Sequence, residues 1–153
     1  MDLIIWRHAE AVDKTDDLAD LERALTRRGQ KQASRVGAWL SARLPSDVRI
    51  LCSPALRCQQ TTLGLTRRFE VRPELGPDAG AAAILETCGW PRAAHPVLVV
   101  GHQPALGELV ARLLDIEGGQ CEIEKGAVWW LRKGEEGARA EAVLRTVQSP
   151  DLI

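Results

Sequence analysis

Apolar positions along this chain alternate between short unbroken runs and helix-spaced stripes. Leu3-Ile4-Ile5-Trp6 is an unbroken run and predicts a buried strand. Glu10 to Asp20 is acidic and polar and reads as a surface loop. From Thr26, a side chain suited to capping, Ala33, Val36, Gly37, Leu40 and Leu44 recur at helical spacing until Pro45 ends the run. Val48 to Cys52 predicts a second strand. Ser53-Pro54 predicts a helix start, with serine as the cap and proline in the first position, for a helix running to Phe69. Glu70 to Glu74 reads as a short extended piece, and Asp78 to Cys88 as an alanine-rich helix capped by Asp78. Val97-Leu98-Val99-Val100, between Pro96 and Gly101, is the strongest strand signal, because three of its four apolar residues are β-branched. Pro104 opens a helix in which Leu106, Leu109, Val110, Leu113 and Leu114 fill one face. Ala127 to Arg132 and Ala140 to Val147, around Gly134-Glu135-Glu136-Gly137, predict a terminal hairpin.

Strand alternating with helix predicts an α/β fold: a three-layer sandwich with a mostly parallel central sheet and helices on both faces. At 153 residues the expectation is a single domain spanning 1–153. Hydrophobic residues at 45% and charged residues at 27% exclude wholesale disorder. No apolar run approaches the length of a membrane span, and Met1-Asp2 leading directly to Arg7 does not read as a signal peptide. A net charge of −1 supplies no global field to recruit nucleic acid or an anionic membrane. The four cysteines (Cys52, Cys58, Cys88 and Cys121) lack CxxC spacing. Without a targeting segment they are expected to be reduced thiols in a cytoplasmic protein.

Ligands of such sheets sit beyond the carboxyl ends of the strands. The residues there are Arg7-His8, Ser53-Pro54-Ala55-Leu56-Arg57 and Gly101-His102. Each of the two histidines and two arginines has an ordinary structural explanation when taken alone. Four of them at three successive strand exits instead point to a site for a phosphoryl dianion. Arginine offers a permanently charged fork of donors that matches phosphate oxygens. A histidine beside two such cations is disfavoured in its protonated form, which leaves a neutral ring able to act as a nucleophile. A zinc site built from His8, His102 and a cysteine is the weaker reading, since no ligand spacing is present and the arginines would repel a cation. No metal or other cofactor is therefore expected. His95 lies at the opposite end of its strand and reads as structural.

These residues carry a resemblance. Leu3-Ile4-Ile5-Trp6-Arg7-His8-Ala9 resembles the strand-RHG opening of the histidine phosphatase superfamily, which has the phosphoglycerate-mutase-like fold. Leu25-Thr26-Arg27-Arg28-Gly29-Gln30-Lys31-Gln32-Ala33 resembles its LTxxGxxQA segment. Cys52-Ser53-Pro54-Ala55-Leu56-Arg57-Cys58-Gln59-Gln60-Thr61 resembles its SSPxxRxxQT segment, and Val100-Gly101-His102-Gln103-Pro104 its GHxP segment. The wording RHAEA and GHQPAL is most similar to the SixA-type phosphohistidine phosphatases. One departure is Ala9, where the common pattern has glycine.

The resemblance implies that His8 is a phosphorylated nucleophile and that Arg7, Arg57 and a protonated His102 bind the phosphoryl oxygens, with Gln103 a further substrate contact. It also implies hydrolysis of a phosphohistidine enzyme intermediate without a metal. An alkyl phosphate would need a proton-donating carboxylate, for which Glu74 and Glu10 are the candidates. Imidazole leaves more easily than an alkoxide, and the stretch from Glu70 to Pro96 is too short for a large helical lid. The expected function is a phosphohistidine phosphatase acting on a phosphotransfer protein. The alternatives are a broad phosphatase for small phosphate esters and a non-catalytic phosphoprotein-binding module. Of the neighbours Trp129 and Trp130, alternation along a strand predicts one in the core and one exposed.

Overall fold

The computed structural model describes residues 1–153. Its strands are β1 (Asp2–Arg7), β2 (Arg49–Cys52), β3 (Glu70–Val71), β4 (Val97–Gly101), β5 (Val128–Lys133) and β6 (Ala142–Gln148). Its α-helices are α1 (Arg27–Ser41), α2 (Leu56–Leu63), α3 (Ala81–Cys88) and α4 (Ala105–Leu114). The strands form one six-stranded sheet in the order β3-β2-β4-β1-β5-β6. β3, β2, β4 and β1 run parallel to their neighbours, whereas β5 and β6 are added antiparallel.

Alternation along β1 builds two cores. Leu3 and Ile5 pack with Leu106, Leu109 and Val110 of α4 and Ile84 of α3. Ile4 and Trp6 pack on the other face with Val36 and Leu40 of α1 and Cys58 of α2. Every apolar position of β1 and β4 is fully buried, as expected for central strands covered by helices on both sides. No helix is long and apolar enough to cross a membrane.

Several element boundaries differ from the sequence expectation. α1 is capped by Thr26, whose hydroxyl accepts from Gly29 N at 3.0 Å. α2, in contrast, begins at Leu56 rather than at Ser53-Pro54, and it ends at Leu63 rather than Phe69. It stops where Gly64 meets α1: a Cβ there would lie 2.6 Å from the carbonyl oxygen of Ala33. α3 starts at Ala81 after Gly80, and Asp78 does not cap it. Trp129 and Trp130 are both half-buried, packed against opposite cores, so neither is the exposed partner expected. Trp130 rests edge-on against Trp39, with ring centroids 6.3 Å apart.

Candidate active site

Sheet register brings the two histidines together. Arg7, the last residue of β1, pairs with Gly101, the last residue of β4. His8 and His102 therefore leave adjacent parallel strands at the same level, and His8 N donates to Gly101 O at 3.1 Å. Their ring centroids are 5.3 Å apart. β2 ends beside them, where Ser53 N donates to Val100 O at 3.1 Å.

His8 is 7% exposed, and its Nδ1 donates to the Ala9 carbonyl at 2.8 Å. That bond fixes the neutral tautomer with its proton on Nδ1 and leaves the Nε2 lone pair free. Burial lowers its pKa to about 4; Arg57 and Arg7 push the same way and the Ala9 bond opposes them. The ring is thus neutral at pH 7. Ala9 has no left-handed backbone, so alanine fits where the family pattern has glycine. Its N–H donates to Thr61 Oγ1 at 3.0 Å, which ties the loop after β1 to α2.

His102 is equally enclosed, at 5% exposure. Its Nε2 lies 2.7 Å from Ser53 Oγ, and its Nδ1 lies 3.4 Å from Arg57 Nη2. A guanidinium can only donate, so Nδ1 is the acceptor and Nε2 carries the proton toward serine. Burial lowers its pKa to about 3, with His8 and Arg57 adding to the effect. With Arg57 donating to Nδ1 the ring is neutral, and the protonated His102 expected of the phosphoryl-bound pocket requires that bond to break. Ser53, expected to cap a helix, instead orients this imidazole.

Both arginines enter the same pocket. Arg57, in the first turn of α2, is 4% exposed. Its Nη1 donates to Asp20 O at 2.7 Å and its Nη2 to Asp20 Oδ2 at 3.1 Å. Arg7 Nη1 donates to Ile123 O at 2.7 Å. Arg7 Nε and Arg57 Nε are the only buried side-chain nitrogen or oxygen atoms without a hydrogen-bond partner. A buried donor without a partner is costly, and native proteins keep few of them. What the pocket offers an oxyanion is permanent positive charge: Arg57 stands against His102, and Arg7 and Arg57 both disfavour protonation of the two imidazoles.

The comparisons with known proteins agree with this geometry. Residues 3–79 match the histidine phosphatase superfamily (branch 1). The phosphohistidine phosphatase SixA of Escherichia coli (strain K12) is 34% identical over 121 residues, covering 74% of this chain and 74% of that protein. The chain belongs to the histidine phosphatase superfamily. As a member of that superfamily it is a phosphatase. A SixA homolog of Haemophilus influenzae is also 34% identical, over 128 residues that cover 74% of this chain and 77% of the homolog. Among solved structures, the protein histidine phosphatase SixA complexed with tungstate superposes with a TM-score of 0.78 at 27% identity, covering 99% of both chains.

In this histidine phosphatase the remaining candidates have other placements. Gln103 donates from Nε2 to Cys121 O at 3.0 Å and accepts from Gly107 N at 2.7 Å. Both ends of its amide join α4 to the Cys121 segment, which corrects its expected substrate contact. Glu74 is half-exposed and held by Arg72 at 3.3 Å. Glu10 Oε2 accepts from Thr26 Oγ1 at 3.3 Å and lies 4.0 Å from Arg28. Neither carboxylate bonds to His8, His102, Arg7 or Arg57. His95 pairs with Asp47 on the exposed surface. No cluster of three or more His, Cys, Asp or Glu side chains could hold a metal ion.

Asp20 is the residue that the sequence reading missed. It lies in a 3-10 turn (Asp20–Glu22) within the acidic loop, and its carboxylate also accepts from Arg23 Nη1 at 3.1 Å. Burial pushes its pKa up, but Arg23 and Arg57 outweigh that and hold it below the usual range. The one sequence signal was an aspartate three residues before an arginine, a spacing that lets the two pair within one turn.

Proposed function

We propose that this phosphatase hydrolyses protein-borne phosphohistidine through a covalent intermediate on His8. The observation that carries the reading is the pair of buried imidazoles, with ring centroids 5.3 Å apart and Arg57 standing against one of them. His8 Nε2 attacks phosphorus in line. The new bond to His8 forms as the P–N bond of a ring-protonated phosphohistidine breaks, so the electron pair stays on its nitrogen and a neutral imidazole leaves. Arg7 and Arg57 donate to the equatorial oxygens, the electrostatic contribution that dominates such transfers. A bound dianion also gives Arg57 a stronger acceptor than His102 Nδ1 and favours a proton on that nitrogen. Water then attacks phosphorus, the electron pair of the P–N bond returns to His8 Nε2, and inorganic phosphate departs.

The charge state of Asp20 supports the substrate class. Asp20 is the carboxylate in contact with Arg57, and two guanidiniums keep it ionised. An alkoxide leaving group needs a proton donor there, whereas an imidazole, with a reference pKa of about 6.5, does not. The likeness to SixA phosphohistidine phosphatases supports the same choice. The test is a direct competition between a phosphohistidine-bearing phosphotransfer domain and sugar phosphates. A higher kcat/KM for the phosphohistidine protein is expected, and a large margin for sugar phosphates overturns the reading.

A further inference from the structure

Helix α1 has the sequence RRGQKQASRVGAWLS, and it contains no acidic residue. Arg27, Arg28, Lys31 and Arg35 are all exposed on it. Arg27, Lys31 and Arg35 follow one another at four-residue spacing and form a stripe along one face. None of the three has an ion-pair partner within 4.0 Å, although Asp151 borders the same face near Arg35. Arg28 alone reaches a carboxylate, Glu10, at 4.0 Å.

The placement works against the helix itself. Cations at a helix N-terminus oppose the macrodipole, and acids are the stabilising choice there. α1 has basic residues at its first two positions and no acid in its first turn. A local rule broken without a local gain marks a surface kept for another reason. The whole chain carries a charge of only −1, so the stripe is a local feature and not part of a general basic surface.

The flanking face of α1, which carries Arg28 and Gln32, adjoins the loop after His8. The carbonyl oxygen of Glu10, two residues after His8, lies so close to Gly29 that a Cβ there would stand 2.0 Å from it. Arg28 and Gln32 line one hollow together with Arg7, which Glu10, Glu122 and Glu124 also border. On the other flank of the pocket, Asp20 and Pro54 open onto a cavity with Glu74 and Asp78, beside the exposed Asp13, Asp16 and Asp17. A substrate protein therefore meets a basic flank along α1 and an acidic flank along the loop of Asp13 to Asp20.

We propose that the stripe of Arg27, Lys31 and Arg35 docks an acidic patch that flanks the phosphohistidine on the substrate protein. The inference rests on the phosphohistidine reading above. The stripe sets the orientation and capture rate of the partner and leaves the chemical step untouched, which is what complementary charge outside a pocket does. Nucleic acid is the competing occupant, and the two hollows that join Lys31 and Arg35 to Arg28 and Gln32, and these in turn to Arg7, favour the substrate protein.

The test uses two synthetic phosphohistidine peptides of equal length, one flanked by glutamates and one by serines, with p-nitrophenyl phosphate as a small substrate. At low salt the acidic peptide is expected to have a kcat/KM about tenfold higher, a preference that shrinks as salt screens the charges. The double variant R27E/K31E should lose the preference and keep p-nitrophenyl phosphate turnover, which also shows that it is folded. Equal kcat/KM for both peptides in the natural protein overturns the inference, as does a preference that survives in the double variant. Tighter binding of a single-stranded RNA oligonucleotide than of the acidic peptide assigns the face to nucleic acid and overturns it too. Turnover of p-nitrophenyl phosphate but of neither peptide defeats the substrate reading itself, and this inference with it. Preserved hydrolysis of both peptides with no preference defeats the docking alone.

Discussion

Asp20 grips Arg57 at two points: its carbonyl oxygen accepts from Nη1 at 2.7 Å, and its carboxylate accepts from Nη2 at 3.1 Å. The same carboxylate holds Arg23, so one acid aligns two cations next to His8. Asp20→Ala removes a charged hydrogen bond from a buried guanidinium. Such bonds contribute about 1.5–3 kcal/mol, so kcat/KM for p-nitrophenyl phosphate should fall about 10- to 100-fold. Asp20→Asn keeps an acceptor and should recover part of the loss. Steady-state kinetics of the two variants make the comparison, and an unchanged kcat/KM in Asp20→Ala removes the positioning role.

His8→Ala should abolish turnover together with the phosphoenzyme. Acid-labile, base-stable phosphate on the His8 peptide, followed by mass spectrometry after rapid quench, reports the intermediate. Turnover that persists in the variant ends the covalent mechanism.

The two imidazoles make stability depend on pH. The pKa of His8 is lowered to about 4 and that of His102 to about 3, against an ordinary value near 6.5. Below 6.5 the unfolded chain binds protons that the folded protein refuses, so stability falls as the pH drops toward 4. At pH 7 and above, both states are neutral and the full contribution is present. The Tm measured by calorimetry should decline from pH 7 to pH 4.5, with a shallower decline in His102→Gln. The acid limb of kcat/KM, corrected for ionisation of the substrate, should lie near 4 and not near 6.5.

Glu74→Gln and Glu10→Gln should each leave hydrolysis of a phosphohistidine substrate within about twofold of the natural protein. Both carboxylates are held by neighbours outside the pocket. General acids contribute about 10²- to 10⁴-fold where they act, so a loss of that size in either variant would identify a proton donor.

Gly29→Ala should destabilise the protein and weaken the site together. The added methyl would stand 2.0 Å from the Glu10 carbonyl oxygen, a backbone atom that moves only with the loop after His8. Overpacking of this kind costs about 1–3 kcal/mol, or roughly 2–4 °C of Tm for each kcal/mol at this size. Thermal denaturation followed by circular dichroism measures the first effect, and kcat/KM measures the second.

The strands that carry the site were plain in the sequence because burial on both faces requires unbroken apolar runs, as in Leu3 to Trp6 and Val97 to Val100. The cap at Thr26 was also legible, since a capping hydroxyl acts within three residues. Ser53 misled because its hydroxyl faces His102, 49 positions away, which local spacing cannot reveal. The end of α2 was hidden for a similar reason, being set by contact between Gly64 and Ala33 and not by its own residues. Asp20 escaped notice because its partner Arg57 lies 37 positions further on, and within an acidic loop nothing distinguishes it from its neighbours. Gln103 sat in a recognisable segment, yet its amide completes the start of α4.

The permanent positive charge of Arg7 and Arg57 beside His8 and His102 has a consequence for how the enzyme ends its cycle. It attracts any tetrahedral oxyanion that fills the pocket, and the released product is such an ion. Inorganic phosphate should therefore act as a competitive inhibitor and as a thermal protectant, and phosphate buffer should mask part of the activity that a zwitterionic buffer reveals.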